Sequence, residues 1–164
     1  MHTICPIVFE NLYIDRRMPG ELSSACILRF LSRVHEEYFP NLELEYGLAA
    51  YSEKLSSKAN AVVAYKNGLE DELLGGAFGY CNNLESCEAY LSFFGKVQDS
   101  PKGLATRLHR EFCVMAQEAG MRTIALEVRK TNLHAIDFYN KAGYVLRADH
   151  GARNLMSMQI PSFG

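Results

Sequence analysis

The chain has 164 residues, 48% of them hydrophobic and 22% charged, and its net charge is −2. That balance supplies the apolar volume of a folded core and excludes a disordered chain, while the small net charge gives nucleic acid or an anionic membrane no electrostatic reason to be the main partner. Apolar runs fall short of the ~18–20 residues that span a bilayer, and five irregularly spaced cysteines without a Cys-x-x-Cys pair exclude a zinc site or disulfide framework as the organising device.

Ile4 to Ile14 is rich in Ile, Val, Phe and Tyr and reads as a first strand. Pro19 then opens a helical pattern in which Ile27, Phe30, Leu31, Val34 and Tyr38 share one face, and Pro40 ends it, with Asn41 beyond. A second helix is expected from about Tyr46 to Ala59, with Leu48, Tyr51, Leu55 and Ala59 in register. Ala61 to Tyr65 reads as a strand closed by the Asn67-Gly68 turn signal. Leu73 to Tyr80 is a glycine-weakened strand, Asn82-Asn83 a turn, and Ala89 to Phe94 a third strand of an antiparallel meander.

Ser100-Pro101-Lys102-Gly103-Leu104-Ala105 opens the next helix, where Leu104, Leu108, Phe112, Met115 and Ala119 keep helical spacing and Gly120 is the stop. Thr123 to Val128 is a strand, Asn132 to Ala142 a shorter helix ended by Gly143, and Tyr144 to Leu146 and Leu155 to Ile160 are the last strands. Met156, Met158 and Ile160 share a face of the last one. The order β-α-α-β-β-β-α-β-α-β-β describes an α/β domain over residues 1–164, with a mixed, largely antiparallel central sheet flanked by helices.

The passage from Phe93 to Thr106 has the physics of an anion site. The first amides of a helix lack internal acceptors and carry partial positive charge. Gly103 and Ala105 let a phosphate approach the backbone, and Lys102 and Arg107 add cationic charge. The same residues also describe an ordinary helix start, with Ser100 as cap and Pro101 in the first turn.

The stretch from Leu126 through Glu127, Asn132, Ala135, Tyr139 and Gly143 to Tyr144 resembles the strand–Asn–Ala–Tyr–Gly–aromatic motif of the GCN5-related N-acetyltransferase (GNAT) superfamily. Lys102-Gly103-Leu104-Ala105 is similar to the end of that superfamily's pyrophosphate loop, Gln/Arg-x-x-Gly-x-Gly/Ala. The resemblance covers residues 60 to 160 well and the first two helices more loosely, where Tyr38-Phe39-Pro40 is similar to a subgroup that acetylates small molecules and surface sugars.

The resemblance implies acetyl-CoA as co-substrate and transfer of its acetyl group to a primary amine of a small molecule, amino sugars included, by direct attack in a ternary complex. The strand end Phe93-Phe94-Gly95 is implied to hold the acetyl carbonyl and pantetheine by its backbone. Ser100, Pro101, Lys102, Gly103, Leu104, Ala105 and Thr106 are implied as the pyrophosphate cradle, and Asn132 as a partner of the cofactor arm. Ser100 departs from the family's Gln or Arg, and Pro101 has no N–H to give. Tyr139 is implied as the acid that protonates the departing thiolate, and Glu127 is the candidate base, directly or through water, with Glu88, Glu85 or no dedicated base, the amine losing its proton to solvent, as alternatives. His109 and His134 read as solvated surface, and Cys81 and Cys87 as chemically idle. Transfer to a protein or peptide N-terminus and non-catalytic sensing of acyl-CoA stay open as other functions. No metal, nucleic acid or membrane partner is expected, a homodimer is compatible, and the compartment expected is the cytoplasm.

Overall fold

The computed structural model describes residues 6–38 and 47–163. Eight described strands form one mostly antiparallel sheet in the order β1-β2-β3-β4-β5-β6-β8-β7, flanked by four described helices. The chain divides into two compact units, residues 1–79 with 93–112, and residues 80–92 with 113–164.

The first unit begins with a hairpin where the sequence reading expects one strand. β1 (Ile7–Phe9) pairs antiparallel with β2 (Leu12–Arg17). Glu10 takes the left-handed φ of 54° that a tight reversal requires, and nothing in the apolar run announces it. The helix α1 (Ser24–Tyr38) starts later than Pro19, because Ser23 Oγ accepts the Cys26 amide at 3.1 Å as an N-terminal cap. The preceding residues form a turn in which Gly20 donates to the Ser56 carbonyl. Ile27, Phe30, Leu31 and Val34 are all buried, as their spacing predicts. Phe39, Pro40 and Asn41, and so the expected helix stop and subgroup signature, lie outside the described residues.

α2 (Leu48–Lys58) buries Leu48, Tyr51 and Leu55. β3 (Asn60–Lys66) pairs with β2 and with β4 (Gly75–Tyr80), both antiparallel. Phe30 meets Phe93 edge-on at 5.9 Å and Phe78 at 6.3 Å, making an aromatic centre for this unit. Losing such a buried ring costs about 3–5 kcal/mol. Gly75 is small for a reason of packing: a Cβ there would stand 2.8 Å from Leu108 on α3 (Leu104–Glu118).

The second unit holds the first half of β5 (Glu88–Lys96), the end of α3, β6 (Thr123–Arg129), α4 (Leu133–Ala142), β7 (Val145–His150) and β8 (Arg153–Gln159). β6 pairs parallel with β5 over Glu88–Tyr90 against Thr123–Ala125, and antiparallel with β8 along its whole length. β7 pairs antiparallel with β8 and carries a register shift between Leu146 and Ala148. Ile124, Leu126, Val128, Met156 and Met158 are buried.

Candidate active site

In the first unit, Gly103 stands at the head of α3 with φ 88°, a conformation open to glycine and costly to a residue with a Cβ. Its carbonyl accepts the Arg107 amide, the first α-helical bond, so α3 opens at Leu104 and not at Ser100-Pro101. The Leu104 amide turns back to the Pro101 carbonyl at 3.2 Å. Ala105 and Thr106 follow in the first turn, where a helix supplies no acceptor for its amides. Leu104 is fully buried, so its side chain anchors the helix and only its backbone faces the loop.

Two cations differ from the sequence reading. Arg107 Nε lies 3.2 Å from Glu111 Oε1, which ties down much of the charge expected to be mobile. Lys96, not singled out in the sequence, places Nζ 3.1 Å from Ser100 Oγ. Lys102 is exposed.

The Phe93 ring is buried in the aromatic centre, and Gly95 lies within β5. Phe94 meets the His109 ring edge-on at 6.0 Å. His109 is a correction to its reading as surface: it is buried, and desolvation pushes it down to about 4, so it is neutral at neutral pH. The helical face it occupies looked polar only because a histidine stands on it.

In the second unit, the Asn132 side chain accepts the Ala135 amide at 3.2 Å and caps α4. That use occupies Oδ1; its amide nitrogen is the atom suited to a cofactor arm. α4 ends at Gly143 with φ 111°. Tyr139 is buried and lies edge-on to Phe138 and Tyr144, at 5.7 and 5.3 Å. Burial pushes its phenol well above the ordinary value, which keeps it protonated as a donor at any physiological pH.

Glu127 sits on β6 with both carboxylate oxygens engaged. Tyr90 donates its hydroxyl to Oε1 at 3.3 Å, and His150 Nδ1 lies 3.3 Å from Oε2. Arg147 donates to Glu88 Oε2 at 2.7 Å, and the Thr123 hydroxyl donates to the same oxygen at 3.0 Å. Glu85 is exposed in the turn before β5, and His134 is exposed on α4. Tyr90, Arg147 and His150 are the neighbours that sequence reasoning missed; the strand order β5-β6-β8-β7 that gathers them has no local signature.

Burial pushes the Cys81 thiol up to about 11 and the Cys113 thiol up to about 12, so neither is a thiolate nucleophile at neutral pH. Among the described residues no helix is long and apolar enough to cross a membrane, and no cluster of three His, Cys, Asp or Glu is placed to hold a metal ion.

The model of the acetyltransferase (GNAT) family matches residues 28–144. Comparison with curated protein sequences returns no significant match. Among solved structures, Tetrahymena GCN5 is similar with a TM-score of 0.69 and 17% identity over 92% of this chain and 98% of that one. PaiA N-acetyltransferase from Thermoplasma acidophilum, in complex with coenzyme A, has a TM-score of 0.62 and 16% identity over 89% of this chain and 98% of that one. Nourseothricin acetyltransferase has a TM-score of 0.53 and 22% identity over 63% of this chain, which spans 66% of that one. At these identities the structural likeness is one of fold.

Proposed function

The chain belongs to the acetyltransferase (GNAT) family, and on that footing we propose that it moves the acetyl group of acetyl-CoA to a primary amine of a small molecule, amino sugars included, by direct attack in a ternary complex. Acetyl-CoA is the family's acyl donor and supplies a thioester carbonyl as the electrophile. The loop before α3 fits its pyrophosphate: Gly103 at φ 88° keeps a side chain away, the first-turn amides follow, and Lys96 and Lys102 add positive charge. In this reading Ser100, Pro101, Lys102, Gly103, Leu104, Ala105 and Thr106 cradle the phosphates, the backbone of Phe93, Phe94 and Gly95 meets the acyl arm, and Asn132 offers its amide nitrogen.

The observation that carries the reading is the Tyr139 phenol. A buried hydroxyl held protonated by its surroundings is suited to donate to a sulfur as negative charge grows on it. On the acceptor side the proposed proton-handling group is the Glu127 carboxylate or a partner it orients; it is exposed on β6 and held from both sides.

The test is thiol release from acetyl-CoA with amino sugars, polyamines, amino acids and short peptides, alongside calorimetry of CoA binding. The expected outcome is turnover with a small amine. Preference for peptide N-termini moves the substrate class, and CoA binding with no transfer leaves a sensing module.

A further inference from the structure

The register shift in β7 decides which side chain faces Glu127. In an antiparallel ladder, paired residues share a face and the face alternates along the strand. Glu127 pairs with Leu155 on β8, and Arg153 and Ser157 lie on that same face. Val145 pairs with Ser157, so a regular ladder would set Arg147 opposite Leu155 and Asp149 opposite Arg153. Asp149 would then share the face of Glu127, one carboxylate toward another. The extra residue, Arg147, moves each later pair by one place: Ala148 meets Leu155 and His150 meets Arg153. A bulge re-aims side chains in this way. Its outcome here is an imidazole beside the carboxylate, while Asp149 is held by Lys130 at 2.7 Å and by the Gly151 amide.

We propose that His150 is the group that takes the proton from the acceptor amine, and that Glu127 is its positioning residue. The assignment rests on the acetyltransfer reading above and refines it. Glu127 already accepts from Tyr90 at Oε1, so its second oxygen fixes the proton of neutral His150 on Nδ1. Nε2 is then the basic nitrogen, on a side chain exposed at 44%. Imidazole is the side chain most often used to abstract a proton from a reacting group. The other charged or titratable groups around it are Arg153 opposite, Asp149 on its own strand, and Arg147, which is bound to Glu88.

Protons balance as follows. The ammonium form of the acceptor gives one proton to His150 Nε2, making an imidazolium beside the Glu127 carboxylate, which later releases it to solvent. The neutral amine forms the new C–N bond as the C–S bond breaks. Tyr139 gives a proton to the leaving sulfur, and the second proton lost by the nitrogen restores the phenol through solvent.

Two measurements on the full chain test the assignment. The first is long-range 1H–15N correlation of the histidine rings, with His150 identified from H150Q. The Nδ1–H tautomer is expected in the wild type and its population should fall in E127Q; an unchanged tautomer in E127Q overturns the pairing. The second is thiol release from acetyl-CoA with glucosamine, spermidine and an Ala-initiated tetrapeptide across pH 5–9. H150Q should lower kcat/KM for the accepted amine by about 10²–10⁴-fold at neutral pH and erase the acidic limb, and added imidazole should restore part of the rate to H150A. Wild-type transfer with an H150Q profile that superimposes on it overturns the His150 assignment alone. No transfer to any of the three amines by the wild type overturns the acetyltransfer reading and this assignment together.

Discussion

Lys96 Nζ lies 3.1 Å from Ser100 Oγ, so the end of β5 and the loop before α3 are joined by a cation. With Arg107 bound to Glu111, Lys96 and the exposed Lys102 are the cations left to the loop among those named. Lys96→Ala is expected to weaken CoA binding about ten-fold, ~1.4 kcal/mol, and to flatten its salt dependence. Ser100→Ala, which keeps the charge, should do much less. Titration calorimetry at two salt concentrations checks both, and equal affinities for Lys96→Ala and wild type would remove the lysine from the phosphate site.

Gly103 tests the backbone of the same loop. A Cβ there meets Phe9 at 3.6 Å, an ordinary contact, so the cost of a side chain comes from φ 88° and not from crowding. Gly103→Ala should lose about 1–2 kcal/mol of stability, and Gly103→Asn less, since asparagine tolerates positive φ. If the loop cradles the phosphates as proposed, both should also weaken CoA binding. Urea melts give the order; an alanine variant as stable as the wild type would contradict the conformation.

The pH dependence of stability has an identified contributor. His109 is buried and its folded pKa is lowered to about 4, against about 6.5 for an unfolded histidine. Between those values the unfolded chain binds a proton that the folded chain does not, so stability falls as pH falls through that window. The loss should reach about 3 kcal/mol near pH 4. His109→Gln cannot titrate, and its stability should vary less than the wild type between pH 6.5 and 4 in chemical denaturation. Parallel curves for the two proteins would place the effect elsewhere.

Periodicity made much of this fold legible. Ile27, Phe30, Leu31 and Val34 fall on the buried face of α1, and Asn132 and Gly143 bound α4 as sequence signals do. What stayed hidden was non-local or depended on a single dihedral. Glu10 turns β1 into β2 at φ 54° without a glycine, and the bulge at Arg147 exchanges Asp149 for His150 on the face of Glu127. Lys96 and Ser100 are four residues apart, yet their contact depends on where the strand stops and the loop begins. Glu127 stands at a position the motif resemblance names; the side chains it meets, Tyr90 and His150, lie 37 and 23 residues away in sequence.

Tyr139 separates a chemical role from a packing role. Its ring lies edge-on to Phe138 and Tyr144, contacts that a phenylalanine keeps. Burial holds the phenol protonated, so at equilibrium it resists giving its proton away and acts first as a hydrogen-bond donor. Such a donor gains strength as charge develops on the sulfur, which makes its contribution larger in the transition state than in the ground state. Tyr139→Phe should therefore lower kcat by about 10²–10⁴-fold and leave the acetyl-CoA dissociation constant and melting temperature close to wild type. A ring that merely fills space predicts little kinetic change, because phenylalanine fills the same space. The measurement belongs under conditions where chemistry limits turnover, with single-turnover rates compared at matched saturation. A folded variant with near wild-type kcat there would end the general-acid assignment, and a fall in affinity equal to the fall in rate would mark Tyr139 as a binding residue.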